Sequence, residues 1–237
     1  MMSSYLNKMV LAVSLLTLSA ASQATLITNG SFEQTGLLSK GEVHNTFLSA
    51  YDNKGKTWEV FYDLPGWTTS FGNGIELQKN IVSKAQDGEH HVELDSHMKG
   101  SSNSVMTQTV SSLNVGSEYL LEFYYKPRTN HANDNGISVY WYDSNIDFDW
   151  NMQAEYTADS TKQKMKNWTL QTVSFTAMAE SMDLSFGSIG KQNTLGGLMD
   201  NVSLTQVTSV AEPTSFAMFF AAGAGLLFMR RRNQSKA

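Results

Sequence analysis

The chain has 237 residues, no cysteine, and a formal net charge of −5 from 22 acidic and 17 basic residues. An acidic chain does not attract nucleic acid or anionic lipid by charge, so the composition argues against both partners. It favours a neutral or polar ligand. Without cysteine the fold has no disulfide, and a bound metal ion is the staple we expect if the domain needs one.

Residues 1–24 have the pattern of a secretory signal peptide. Lys8 supplies the positive charge, residues 9–18 are apolar, and Ser22 to Ala24 form a small-residue cleavage site. The apolar run is too short for a membrane anchor, which needs about 20 residues. We therefore predict an exported protein whose mature chain begins at Thr25.

Residues 25–207 are predicted to form one all-β domain. Short runs of alternating apolar and polar residues are typical of half-buried strands, and no long helical period interrupts them. Gly and Asn separate the runs, as at Asn73 and Gly74. We predict strands at 26–27, 58–62, 75–78, 91–94, 104–110, 119–126, 137–142, 169–177, 183–187 and 198–204. Their number and spacing predict an antiparallel two-sheet sandwich.

Two of these predicted strands supply a candidate ligand surface. Alternation places Tyr124 on one face of 119–126, and it places Tyr140 and Tyr142 on the face of 137–142 opposite to Trp141, which we assign to the core. Flat aromatic rings and planar polar groups suit sugar binding. If the strands are neighbours, the ligand site consists of Tyr124, Arg128, Tyr140 and Tyr142. The alternative is a solvated β surface with nothing bound.

The sequence contains no nucleophile motif, so we predict that the chain is not an enzyme. A glycosidase needs two carboxylates about 5 to 9.5 Å apart, and the sequence does not pair its candidates, Glu89, Glu93, Asp95 and Glu122. His90 and His91 point to opposite faces of one strand, so they cannot jointly hold a metal ion from that strand. We expect His97 to be solvated.

The C-terminus has a short motif, an apolar segment and a basic cluster in that order. Residues 208–214 form a linker that contains Glu212 and Pro213, residues 215–229 are largely apolar, and residues 230–237 begin with three arginines. A helix of about 14 residues is roughly 21 Å long, against about 30 Å of hydrocarbon, so it spans a bilayer poorly. The arginines hold its end on the cytoplasmic side.

This tail resembles the PEP-CTERM sorting signal of Gram-negative bacteria. Ala211 stands where that family usually has its first Pro, so the resemblance depends on Glu212, Pro213, the apolar helix and the arginines. It implies a membrane-bound precursor that inserts transiently in the inner membrane and is processed by an exosortase. The mature protein is then expected at the cell surface or in the extracellular biofilm matrix. The alternative is an ordinary tail anchor.

The two ends of the body carry short motifs, Asn-Gly-Ser-Phe-Glu at 29–33 and Gly-Leu-Met-Asp-Asn-Val-Ser-Leu at 197–204. They resemble the first and last strands of the galactose-binding-like jelly roll of bacterial carbohydrate-binding modules. The resemblance extends more loosely through most of 25–207. It implies an all-β jelly-roll sandwich that binds polysaccharide or a surface glycan. The alternative function is a structural matrix or adhesion protein without a sugar site.

Many members of that fold hold a structural calcium ion between the first and last strands. The resemblance assigns the metal site to the carboxylates of Glu33 and Asp200, the main-chain oxygen of Ser31, and a group from the turn that begins at Asp87. Calcium needs several oxygen ligands of this kind. The alternative is that Glu33 and Asp200 accept hydrogen bonds from nearby amides.

Overall fold

A computed structural model describes residues 24–35, 57–97, 102–131, 133–149, 151–159 and 167–208. Over these ranges the structure contains strands, turns and bends, and no helix that could cross a membrane. Glu212, Pro213, the apolar segment at 215–229 and nearly all of the signal peptide lie outside the described residues. The assignments made there stay predictions.

The strands of the described residues are β1 (Trp58–Phe61), β2 (Asp63–Leu64), β3 (Trp67–Phe71), β4 (Ile75–Lys79), β5 (His90–Glu93), β6 (Asp95–Ser96), β7 (Ser102–Asn103), β8 (Val105–Ser111), β9 (Glu118–Pro127), β10 (Gly136–Asp143), β11 (Tyr156–Ala158), β12 (Thr169–Thr176), β13 (Ser181–Ile189) and β14 (Gly197–Gln206). Most lie within a few residues of a predicted strand.

The strands form two six-stranded antiparallel sheets. Sheet A has the order β1-β4-β5-β14-β9-β12, sheet B has the order β11-β10-β13-β8-β3-β2, and β6 and β7 form a separate ribbon. From β8 onward the chain passes repeatedly from one sheet to the other, which is consistent with a jelly roll. The predicted all-β, two-sheet antiparallel sandwich is confirmed.

The core lies between the sheets and follows the predicted alternation. Leu121 and Phe123 of β9 are fully buried, as are Ile137 and Val139 of β10, and all belong to one hydrophobic cluster. Trp141 is in the same cluster, as predicted, and its ring stacks on that of Phe175 with a centroid distance of 5.4 Å. The two inner faces therefore bury their apolar side chains against each other.

The beginning of the domain packs along its last strand, β14. The Leu26 amide donates to the Leu204 carbonyl at 2.8 Å, and the Val202 amide donates to the Gly30 carbonyl at 2.9 Å. A Cβ at Gly30 would collide with the Val202 carbonyl oxygen, so the approach requires glycine. The closeness of the two ends that the family resemblance implies is confirmed, although residues 26–27 do not form a strand.

The prediction that Tyr124, Tyr140 and Tyr142 share one sheet surface is wrong. β9 pairs with β12 and β14 in sheet A, whereas β10 pairs with β11 and β13 in sheet B. The connection between β9 and β10 crosses from one sheet to the other instead of forming a hairpin. β9 and β10 are therefore not neighbours, and their outward-facing tyrosines lie on opposite sides of the sandwich.

Candidate ligand-binding site

The outward face of sheet A carries a group of polar side chains. Glu76 and Gln78 of β4 stand directly opposite Glu93 and His91 of β5 in the strand register. They point away from the core because the alternate positions, such as Leu77, belong to it. All four are nonetheless at most 3% exposed. With Arg128, which follows β9, they form what we call the polar cluster.

Gln78 is the centre of the polar cluster. Its Nε2 donates to Glu76 Oε1 at 2.8 Å and to Glu93 Oε2 at 2.7 Å, while its Oε1 lies 3.0 Å from His91 Nε2. Because an amide oxygen only accepts, the His91 ring donates through Nε2. One amide therefore joins both carboxylates and the imidazole.

Arg128 neutralises the more deeply buried carboxylate. Its Nη1 donates to Glu93 Oε2 at 2.6 Å and to the Thr194 carbonyl at 2.8 Å, and the Gly196 amide donates to Glu93 Oε1 at 2.5 Å. Burial raises the pKa of Glu93 well above its ordinary value, although Arg128 opposes that shift. Burial also raises the pKa of Glu76. The cluster is thus a costly buried network that depends on its internal partners.

The two carboxylates of the polar cluster are engaged in hydrogen bonds within the protein. Glu76 Oε2 accepts the His97 amide at 2.6 Å, so each of the four carboxylate oxygens already accepts a hydrogen bond.

The acids that the sequence offers as candidates for a hydrolase are not gathered into one open site. Glu89 forms an exposed ion pair with Lys79 at 3.1 Å, while Asp95 accepts the amides of residues 193 and 195.

A cavity of about 550 Å³ opens beside the polar cluster. Side chains and loops of sheet A line it: Ser83, Lys84, Ala85, Gln86, Tyr124, Lys126, Asn167 and Trp168. The indole nitrogen of Trp168 donates to the Lys84 carbonyl at 2.9 Å. Lys126 Nζ donates to Ser83 Oγ at 2.8 Å and lies 5.9 Å from the Trp168 ring centroid. The ring and the ammonium group are therefore held in place before any ligand arrives.

His91 links the polar cluster to the cavity. Its ring makes an edge contact with that of Trp168, with centroids 5.7 Å apart. Burial lowers the pKa of His91 to about 4, and the charges of Lys126, His90 and Arg128 add to that effect. His91 is therefore neutral at neutral pH and presents Trp168 with an uncharged ring.

The structure divides the four predicted ligand residues into two pairs. Tyr124 lines the cavity and Arg128 belongs to the polar cluster, so both lie on the sheet A side. Tyr140 and Tyr142 lie on the outward face of sheet B, where the Phe148 ring covers them at centroid distances of 5.1 and 6.3 Å. They are 4% and 8% exposed, and burial raises the pKa of both phenols.

The predicted metal residues Glu33 and Asp200 both contact the turn at 86–90. Glu33 accepts the amides of Glu89 and His90, each at 2.7 Å, and pairs with His90 Nδ1 at 2.8 Å. Burial raises the pKa of Glu33, but the hydrogen bonds from His90 and Glu89 outweigh it and leave the pKa lowered. Asp200 accepts the amides of Gln86 and Asp87 at 2.6 and 3.0 Å.

These contacts occupy the carboxylates that a metal ion would need. Burial raises the pKa of Asp200 to about 7, and its Oδ1 accepts the Asn201 amide at 2.7 Å. Asp87 contributes an N–H rather than an oxygen, and Ser31 lies in the turn before Glu33. Among the described residues no three His, Asp or Glu side chains are grouped to hold a metal ion. Calcium stays a prediction.

Sequence reasoning missed Glu76 and Gln78 and gave Trp168 no particular role. The alternation Ile-Glu-Leu-Gln-Lys in β4 already places the two polar residues on one face. Their importance depends on β4 lying beside β5, and that register is not visible in the sequence. Trp168 reaches the cavity from the residue just before β12, where no periodic pattern marks it.

The sequence profile of one family matches residues 25–205, which is most of the chain. The chain belongs to the DUF642 family. That family is described as a protein of unknown function. The membership therefore groups the chain with others of the same sequence type and assigns no chemistry to the cavity.

A curated relative and two solved structures resemble this DUF642 chain. Halomucin of Haloquadratum walsbyi is 28% identical over 212 residues, which cover 87% of the chain but only 2% of Halomucin. TmCBM61 in complex with β-1,4-galactotriose is 16% identical with a TM-score of 0.42, covering 78% of the chain and all of TmCBM61. A cyclase from Fischerella sp. TAU is 16% identical with a TM-score of 0.46, covering 77% of the chain and 96% of the cyclase. At these scores neither structure assigns a ligand to this chain.

Proposed function

We propose that the β-sandwich binds a polysaccharide at the cavity on the outward face of sheet A. The observation that supports this most directly is a cavity of about 550 Å³ with two aromatic side chains, Tyr124 and Trp168, in its wall. Ligand pockets typically measure about 300–1,000 Å³ and combine apolar faces with a few polar groups. The cavity is therefore large enough for a sugar unit of a longer chain.

The lining supplies both kinds of contact that a sugar requires. The apolar C–H face of a pyranose packs on a flat aromatic ring, and Trp168 offers the largest one. The side-chain amides of Gln86 and Asn167 can donate to and accept from hydroxyl groups. Because Trp168 is tied to the Lys84 carbonyl and packed against His91, little ordering of the ring is needed on binding.

The polar cluster has a supporting role in this proposal. It fixes His91, and His91 in turn packs against the edge of Trp168. The carboxylates of Glu76 and Glu93 are hydrogen-bonded within the protein and are almost fully buried, so they support the face without performing acid or base chemistry. We accordingly propose binding without hydrolysis.

We further propose that the chain works outside the inner membrane. The signal peptide predicted at 1–24 directs export, and the tail with Glu212 and Pro213 is the predicted substrate of an exosortase. The precursor would then be membrane-bound, and the mature domain would face the cell surface or the extracellular matrix. Mass spectrometry of the secreted and membrane fractions checks this by identifying the mature N- and C-termini.

The binding proposal is tested with the purified chain and a panel of neutral and acidic polysaccharides, by pull-down and calorimetry. We expect Trp168→Ala to abolish measurable binding, because it removes the stacking surface. The matched control is Trp58→Ala, since Trp58 lies on β1 of the same sheet, is 37% exposed and does not line the cavity. Tyr142→Phe on sheet B should also keep full affinity.

The same panel separates the competing functions. Binding that survives Trp168→Ala unchanged would contradict the cavity site. No binding by the unmodified chain to any polysaccharide would favour the structural or adhesion protein. Release of reducing ends during incubation would show a hydrolase and contradict the assignment of Glu76 and Glu93 to a supporting role.

A further inference from the structure

The charge of the cavity differs in sign from that of the chain. Two lysines, Lys84 and Lys126, are the charged side chains among the residues that line it, and no acidic residue is among them. The whole chain has a formal net charge of −5. Net charge is an average over the molecule, so it does not describe the field inside one cleft. The ligand responds to the local charges.

The two lysines reach the cavity from different elements. Lys126 is on β9, and its Nζ is placed by Ser83 Oγ at 2.8 Å beside the Trp168 ring. Lys84 is exposed on the loop between β4 and β5, and its own carbonyl holds the Trp168 indole. The Lys126 ammonium therefore lies close to the ring on which we expect the sugar to stack, and Lys84 lines the same cavity.

Four acidic residues lie in the segments around the cavity. Glu93 is paired with Arg128 at 2.6 Å, and Asp200 accepts the amides of residues 86, 87 and 201. Asp87 and Glu89 follow in the same turn but do not line the cavity, and Glu89 is 3.1 Å from Lys79. None of these four acids is among the residues that line the cavity.

We propose that the polysaccharide bound in the cavity carries carboxylate groups, as a uronic-acid polymer does, and that Lys84 and Lys126 bind those carboxylates. This inference rests on the proposed function and narrows its ligand class. A uronic-acid unit presents an apolar C–H face to an aromatic ring and a carboxylate at the edge of the same unit. Lysine beside tryptophan matches both groups.

The test compares polygalacturonate with a neutral galactan by calorimetry at low salt, using the purified chain. We expect tighter binding to polygalacturonate, and weaker binding as salt is added. Exposed charge pairs contribute about 0.2–1 kcal/mol, so Lys84→Gln and Lys126→Gln should each weaken polygalacturonate binding by up to about fivefold. Galactan binding should weaken less than polygalacturonate binding in both variants. Lys79→Gln is the control, because Lys79 belongs to β4 and lies outside the cavity lining.

The outcomes separate this inference from the function on which it rests. Equal affinity for polygalacturonate and galactan, both lost in Trp168→Ala, would overturn the carboxylate inference and leave polysaccharide binding intact. Binding to neither polymer nor to any other polysaccharide would overturn both. Equal binding to polyaspartate, which has carboxylates but no sugar, would show nonspecific attraction of polyanions and overturn the inference. A loss in Lys79→Gln as large as in Lys126→Gln would overturn it as well.

Discussion

The outward faces of the two sheets are built from different side chains, and the cavity lies on the face of sheet A. On sheet B, hydroxyl groups bond across neighbouring strands: Ser70 to Thr107 at 2.7 Å, Thr107 to Ser185 at 2.6 Å, and Ser185 to Tyr142 at 2.8 Å. Short side chains satisfy one another close to the backbone. The ring of Phe148 then covers Tyr142.

On the outward face of sheet A, carboxylates, an amide and an imidazole take the place of these hydroxyl groups. These side chains extend further from the backbone, and charged ones must be paired once they are buried. The pairing recruits Arg128 and the 193–196 segment, and it fixes His91 against Trp168 at the edge of the cavity. A sheet face therefore forms a shaped site when its side chains are long enough to build a second layer above the strands.

Removing Arg128 should have the largest effect on stability. Arg128→Ala leaves the buried Glu93 carboxylate without its cation, and breaking such a pair typically costs about 3–5 kcal/mol of unfolding free energy. Denaturant unfolding measures the loss. The double variant Arg128→Ala, Glu93→Gln should recover much of it, because it removes the unpaired charge. A loss below about 1 kcal/mol in the single variant would show that the cluster does not hold sheet A together.

His91 should make the domain sensitive to acid. Its folded pKa of about 4 lies below the ordinary value of 6.5, so the unfolded state binds more protons between those pH values and stability falls as the pH drops through this window. The effect is on the order of 3 kcal/mol. Glu76 and Glu93 have raised pKa values, so their contributions to the stability of the fold have the opposite pH dependence. Those contributions are lost as the pH rises.

The comparison with His91→Gln isolates this contribution. Unfolding free energies at pH 7 and pH 4 should differ more in the unmodified chain than in the variant. The same difference in both would mean that His91 is not buried in its neutral form. The described strands of sheet B contain no histidine, so we expect no corresponding acid effect from that face.

Glu33→Gln tests how the two ends of the domain are held. The carboxylate accepts two amides and His90 Nδ1, so we expect a loss of about 1–3 kcal/mol. Glu89→Gln is the control, because Glu89 is exposed and its carboxylate forms a surface ion pair with Lys79. If hydrogen bonds alone hold Glu33, EDTA leaves the melting temperature unchanged. A decrease with EDTA in the unmodified chain, absent in Glu33→Gln and reversed by added calcium, would establish a bound calcium ion.

Tyr142→Phe should have the smallest effect. It removes one hydroxyl from the chain of hydrogen bonds on sheet B, which typically costs about 0.5–1.5 kcal/mol. Thermal unfolding measures the loss. Polysaccharide affinity should not change, because Tyr142 is on the face opposite to the cavity. A large loss of binding would place the ligand on sheet B and reverse the comparison between the faces.

Local patterns in the sequence predicted most strands and the core sides of β9 and β10. Alternation is a local property of the backbone, so Phe123, Val139 and Trp141 could be assigned to the core before any pairing was known. Strand order is not local. The assumption that β9 and β10 are neighbours placed Tyr124 and Tyr142 together, although the chain crosses to the other sheet between them.

The sequence alone determined the all-β class, the approximate strands and which residues face inward, and the family resemblance implied that the two ends of the domain lie close together. The tertiary structure decided which outward-facing residues meet. Glu76, His91, Lys126 and Trp168 come from four separate segments, and they share one surface because β4, β5, β9 and β12 belong to the same sheet. Such long-range pairing follows from how two entire sheets pack, and no short stretch of sequence contains that information.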